Sequence, residues 1–351
     1  MQRSTFLRFE LLAAAALAAA SSVGCADEGE SDVLSDSTSV VQAPIEDGTN
    51  DGDDLGVLRI VRPRLSEVPN DKGGQCSGVV IAPDLVLTAR HCVSALDRGE
   101  SLCEGTTFYP PQTLTVELVE LSTAFESFSV PAENVGVPAA GDSICGYDVA
   151  LVRVPGLAKA LAKRGVAPLE PRFESNVASG EAYRAVGLGA YNANGQGVGT
   201  RRERGGLSVD CAGAGCASTG VGSREWRGSD AICSGDSGGP ALDENGRVIG
   251  VVSRANSNDC SKPVYASVFA WRDWLREGAL EAARLGGHQP PAWSTSTFAT
   301  GEVFVDSEFT ADESENGCSA GGAPGGRGGW SLVAFAAAAT LAASRRRRAA
   351  A

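Results

Sequence analysis

Histidine is scarce in this chain. Two occur in 351 residues, beside a single Met, and aromatic residues reach only 6%. So little imidazole argues against a string of metal centres, and the ten Cys fit oxidised pairs in an exported protein better. Basic charge is also in deficit. Lys+Arg total 30 against Asp+Glu 43, a formal charge of −13, which argues against a grip on the phosphates of DNA or RNA. No apolar run reaches the ~20 residues of a membrane-spanning helix, so a multi-span membrane protein is also disfavoured. What is present, 43% hydrophobic and 21% charged residues, is ordinary for a soluble chain with room for one large domain or two smaller ones.

Both ends read as addresses. Residues 1–24 carry Arg3 and Arg8, then an apolar run over 11–20, then small residues before Cys25, the layout of a secretory signal. Two fates stay open there: plain cleavage, or lipidation of Cys25, since Ser22-Val23-Gly24-Cys25 resembles a bacterial lipoprotein box with Ser22 where Leu is usual. Residues 25–44, rich in Asp, Glu, Ser and Thr, read as a disordered spacer or propeptide. Residues 287–317 read as an acidic, Pro-, Ser- and Thr-bearing stalk. In 318–351, Cys318 precedes a Gly-rich stretch, an apolar run over 330–343 and four Arg at 345–348. That run, about 14 residues, is short for a lasting span. The segment resembles the Cys-containing C-terminal sorting tails of myxobacterial surface proteins, which implies that sorting machinery reads it and leaves the protein at the bacterial surface near Cys318.

Between the ends the texture is β-rich. Segments 55–61, 78–81, 85–88, 114–121, 149–154, 182–187, 248–252 and 264–268 read as short strands separated by Gly, Pro, Asn and Asp. Many short strands with little helical periodicity predict a sandwich or barrel. One helix is expected over 268–285, where Trp271, Trp274, Leu275, Ala279 and Ala282 recur at helical spacing. The acidic run 47–54 departs from the calcium-loop pattern and reads as a solvated turn.

Three segments carry the chemistry. They are Thr88-Ala89-Arg90-His91-Cys92, Asp148-Val149-Ala150-Leu151-Val152 and Cys233-Ser234-Gly235-Asp236-Ser237-Gly238-Gly239-Pro240. In this order they resemble the trypsin- and chymotrypsin-like serine proteases, and the order His, Asp, Ser separates them from subtilisin-like and α/β-hydrolase enzymes. The resemblance covers about 240 residues, from Ile45 to the closing helix. It implies an all-β fold of two six-stranded antiparallel β-barrels with a C-terminal helix, over 45–286. It also implies a serine endopeptidase, with no cofactor and no metal, acting as a monomer on protein or peptide substrates.

A Ser hydroxyl is a weak nucleophile that needs a base within reach, which His91 would supply to Ser237. Asp148 would hold the correct imidazole tautomer. The amides of Gly235 and Ser237 would converge on the oxyanion. The resemblance further implies that Cys76 pairs with Cys92 and Cys233 with Cys260. Pairing of Cys103, Cys145, Cys211 and Cys216 stays open from sequence, with Cys103–Cys145 and Cys211–Cys216 favoured.

Two departures from the family stand out. The resemblance would pair a freed Ile45 amino terminus with Asp236, but Pro44 replaces the usual Arg or Lys at that cut, so a trypsin-like activator is not expected to make it, and activation is either by a different protease or not by this route. The pocket position that carries Asp in trypsin-like enzymes is Ala231, followed by Ile232, and the family's Ser-Trp-Gly run is Ser253-Arg254-Ala255. An unpaired buried charge is costly, so uncharged, small to medium side chains are expected at the cut site, with Asp230 able to replace the missing Asp only if the loop shifts. The competing reading is a catalytically silent, protease-like module that binds peptides or surface partners.

Overall fold

The computed structural model describes residues 48–296, apart from 98–102, 104–106, 140, 142, 191–195, 231 and 256–259. Cys25, Ile45, Ala231 and Cys318 lie outside the described residues. So do both terminal segments. No described helix is long and apolar enough to cross a membrane.

Two antiparallel sheets carry the chain. The first orders its strands Thr123–Pro131, Thr113–Glu120, Val57–Arg62, Gly74–Ala82, Leu85–Thr88, Ala150–Arg153 and Val135–Gly136. The second orders Thr49–Asn50, Arg202–Ala212, Ala182–Gly187, Pro240–Leu242, Val248–Arg254, Val264–Ser267 and Glu225–Gly228. Glu225–Gly228 pairs back onto Arg202–Ala212, so all strands of the second sheet except Thr49–Asn50 form a closed six-stranded barrel. The all-β architecture is thus as expected, but the first sheet remains a half-barrel whose end strands do not pair among the described residues. Two clusters of buried apolar side chains form the cores. Leu58, Ile60, Val80, Leu87 and Leu118 fill the first, and Val209, Trp226, Ile249 and Tyr265 fill the second.

Asp51, in the turn read as solvated, is instead buried. Its carboxylate accepts the Asp53 and Asp54 amides and the Nε–H of fully buried Arg201 at 3.2 Å. A buried cation needs a buried anion, and the turn supplies it.

The closing helix is Arg272–Gly286, with Leu275, Ala279, Ala282 and Ala283 inward. It ends at Gly287, left-handed at φ +67, whose amide returns to the Ala283 carbonyl. The chain then packs on the domain rather than leaving it. Two residues anchor this segment: His288, whose Nε2 lies 2.9 Å from Asp84 Oδ2, and Trp293, edge-on to Phe173 at 5.4 Å and 6% exposed. Residues 288–296, assigned from composition to the stalk, thus contain a buried aromatic anchor that composition does not weigh. Trp293→Ala is expected to cost about 3 kcal/mol, lowering Tm by roughly 6–12 °C, because the cavity opens in the first core. Thermal unfolding checks this, and an unchanged Tm would mean the segment is not anchored.

Candidate active site

Strand pairing brings the first two site residues together. Leu85–Thr88 and Ala150–Arg153 run antiparallel with Thr88 opposite Ala150, so residues just past one strand end and just before the other become neighbours. His91 sits there in a short turn, Arg90–Cys92, and Asp148 precedes its strand. His91 Nδ1 lies 2.8 Å from Asp148 Oδ2, and the His91 amide donates to Asp148 Oδ1 at 3.0 Å. Ser253, reaching across from the second barrel, donates its hydroxyl to Oδ2 at 2.6 Å. Asp148 is fully buried. Burial pushes its carboxyl upward, but adjacent His91 and the hydrogen bonds from His91 and Ser253 outweigh that and hold it below the usual carboxylate range. With an ionised acceptor on Nδ1, the imidazole proton belongs on Nδ1 and Nε2 keeps its lone pair.

Ser237, 8% exposed, lies in a loop pressed against both sheets. Gly235 and Gly238 are left-handed at φ +100 and +82, and a Cβ on Gly238 would come within 2.1 Å of Thr88 Oγ1. Ser77 staples the loop. Its hydroxyl donates to the Gly235 carbonyl at 2.8 Å and accepts the Leu188 amide at 2.9 Å, while its own amide donates to the Ser237 carbonyl at 2.8 Å. Between the two expected oxyanion donors, Asp236 is wholly buried, accepting the amides of Gly189 at 2.9 Å and Cys233 at 3.3 Å. Desolvation prevails over those bonds and pushes its carboxyl up to about 7.

The expected pocket residues divide. Ile232 is buried in the second core and Ala255 packs against it, in the same cluster as Tyr265, whose hydroxyl lies 3.2 Å from that of Tyr183. Ser253 is committed to Asp148. Asp230 is turned aside, half-exposed and paired with Arg204 at 3.3 Å, so it does not stand in for the carboxylate missing at 231.

The cysteines pair as Cys76–Cys92, Cys103–Cys145, Cys211–Cys216 and Cys233–Cys260. Cys76, His91 and Cys92 offer ligand-type atoms within 4.8 Å of one another. The two sulfurs are bonded to each other and provide no thiolate, so the cluster does not suit a metal. Sequence reading missed Ser77, Gly189 and Glu225. Ser77 had a signal, the one hydroxyl in the strand Gly74–Ala82, at the start of its buried run. Glu225 had a weaker one, an acid next to the fully buried Trp226.

Known proteins give the same architecture. A sequence model of the family described as Trypsin matches residues 63–275. Granzyme M of Rattus norvegicus is 26% identical over 239 residues, covering 62% of this chain and 84% of the relative. Protein C activator of Agkistrodon piscivorus leucostoma is 28% identical over 216 residues, covering 58% and 77%. A solved chain described as "Structure of GrC" superposes with a TM-score of 0.50 at 18% identity, covering 67% of this chain and 97% of that one, a likeness of fold alone. With more than half its length matched by the family model, the chain belongs to the trypsin family of serine proteases.

Proposed function

We propose that this protein is a secreted serine endopeptidase held at a bacterial cell surface by its C-terminal tail, cutting after uncharged side chains. The observation that carries the catalytic part is the buried Asp148–His91 pair at 2.8 Å, braced by Ser253, opposite a Ser237 loop stapled by Ser77. In this reading His91 Nε2 takes the Ser237 proton as Oγ attacks the scissile carbonyl, and then protonates the leaving amine. The amides of Gly235 and Ser237 receive the oxyanion, each contributing on the order of 10² to 10³ in rate. Water, activated by the same His91, releases the acyl group.

The uncharged preference is supported by Ile232 and Ala255 in the second core and by Asp230 turned toward Arg204. Surface attachment is supported by the sequence of 318–351 and export by that of 1–24, with residues 45–286 as the protease domain and an unidentified protease freeing Ile45. The test incubates mature-length protein, residues 45–317, with a fluorophosphonate and a mixed peptide library. An adduct on the Ser237 peptide, with cleavage after uncharged, small to medium residues, is expected. Cleavage after Lys or Arg would overturn the specificity. No adduct, with Ile45 confirmed as the free amino terminus, would overturn the enzyme and favour the silent binding module.

A further inference from the structure

Glu225 is 1% exposed and lies on the barrel strand Glu225–Gly228, yet its carboxylate serves the opposite half of the molecule. Oε1 accepts the Gly146 amide at 2.7 Å, and Oε2 accepts that of Gly222 at 2.8 Å. Gly146 is buried and left-handed at φ +83, two residues before Asp148. Arg254 grips the same carboxylate with both terminal nitrogens, at 2.6 and 2.8 Å, and donates to the Gly220 carbonyl at 3.1 Å. Its chain neighbour Ser253 holds Asp148 from the other side.

Resting on the serine-protease reading above, we infer that Glu225 and Arg254 are positioning residues: the pair ties the loop bearing Asp148 to the second barrel and balances the charge beside the Asp148–His91 pair. A planar guanidinium with two parallel bonds fixes a carboxylate in direction as well as distance, so the Gly146 peptide it holds is fixed too. The Asp148 loop is therefore clamped twice from the barrel that carries Ser237, by Ser253 at the Asp148 carboxylate and by Glu225 at the Gly146 amide two residues earlier. Burial alone would lower the affinity of Arg254 for its proton; Glu225 and, beyond it, Asp148 raise it instead, which places all three charges within one another's field. Charged groups on the neighbouring elements are Arg90 on the His91 turn, bonded to the Gly141 carbonyl, Asp236 beside Ser237, bonded to the Gly189 amide, and Arg224 over the Tyr147 ring.

The test compares Glu225→Gln, Arg254→Met and the double variant, each made from the full-length chain in an exporting host and processed as the wild type is. Each single variant is expected to lose about tenfold in kcat with KM changed less than about twofold, as for a buried charge-assisted bond that does not touch substrate. The acid limb of kcat/KM should move by about half a pH unit, down in Glu225→Gln, where a cation is left unbalanced beside Asp148, and up in Arg254→Met, where an anion is. The double variant should return the limb to its wild-type position. A structural role alone would not give opposite shifts. Limbs that stay fixed or move the same way, or an unchanged kcat, would overturn the inference. The Nδ1 proton resonance of His91 provides an arm independent of turnover, expected to move oppositely in the two single variants. If wild-type Ser237 takes no fluorophosphonate, the protease reading fails by itself, while the resonance still decides whether Glu225 and Arg254 act on Asp148.

Discussion

Replacing Ser237 with Ala is expected to lower kcat by about 10⁶-fold, His91→Ala by as much, and the double variant by no more than either alone, because nucleophile and base act as one unit. Asp148→Asn should cost about 10⁴-fold while leaving the fold intact. The geometry gives the reason. Asp148 Oδ1 accepts the His91 amide and Oδ2 faces both His91 Nδ1 and the Ser253 hydroxyl. An amide in this position keeps its oxygen on the backbone N–H and turns its NH₂ toward Nδ1, which drives the imidazole proton to Nε2, where Ser237 needs a base. Single-turnover kinetics at known protein concentration, with denaturant unfolding of each variant beside it, measures each loss separately from folding. Additive losses in the Ser237/His91 double variant, or an Asp148→Asn enzyme within tenfold of wild type, would refute a shared catalytic unit.

Much of this site is legible in the sequence, for a physical reason. A nucleophile loop needs glycines where its backbone turns left-handed or runs against strands, and a base loop needs a clamp, so Gly235, Gly238 and Cys92 announce themselves by residue type. Strands that bury aliphatic residues are legible too: 85–88 and 182–187 coincide with Leu85–Thr88 and Ala182–Gly187. The strand Arg202–Ala212 is not. It carries two adjacent glycines and four charged residues, and only neighbours on both sides make it a strand. Thr123–Pro131, at the sheet's edge, fully buries only Val130, and Phe125 and Phe128 are only partly covered, so its inward face is weakly marked. Glu225 illustrates the other limit. Its partners, Gly146 in the other half and Arg254 two strands away in its own barrel, lie far away in sequence, and no local pattern announces bonds made at that range.

Freeing Ile45 should raise kcat/KM by at least about 10²-fold, and Asp236 should be the reason. Its neighbours in sequence, Gly235 and Ser237, carry the two proposed oxyanion donors, so any movement of the Asp236 side chain moves both, and even one lost donor is worth about 10² to 10³ in rate. In the uncut chain Asp236 is buried with two amides as its hydrogen-bond partners, and its carboxyl lies near 7, above the 3.8 of the exposed group. For an acid whose folded value is raised, the unfolded state ionises first. The contribution of Asp236 to stability is therefore greatest below about pH 4, falls as pH rises toward about 7, and is level beyond that. The rise from 3.8 to about 7 sets a ceiling of about 4 kcal/mol on the loss. An Ile45 ammonium beside Asp236 would favour the carboxylate and cancel the decline until that amine deprotonates near about 8. Denaturant unfolding between about pH 4.5 and 8, run on chains beginning at residue 25 and at residue 45, should therefore give a falling stability for the first and a flatter one for the second. Asp236→Asn should flatten the longer chain and abolish the rate gained by cutting. A longer chain as active as the shorter one would show instead that the oxyanion site forms without the new amino terminus, and that Pro44 needs no protease to act on it.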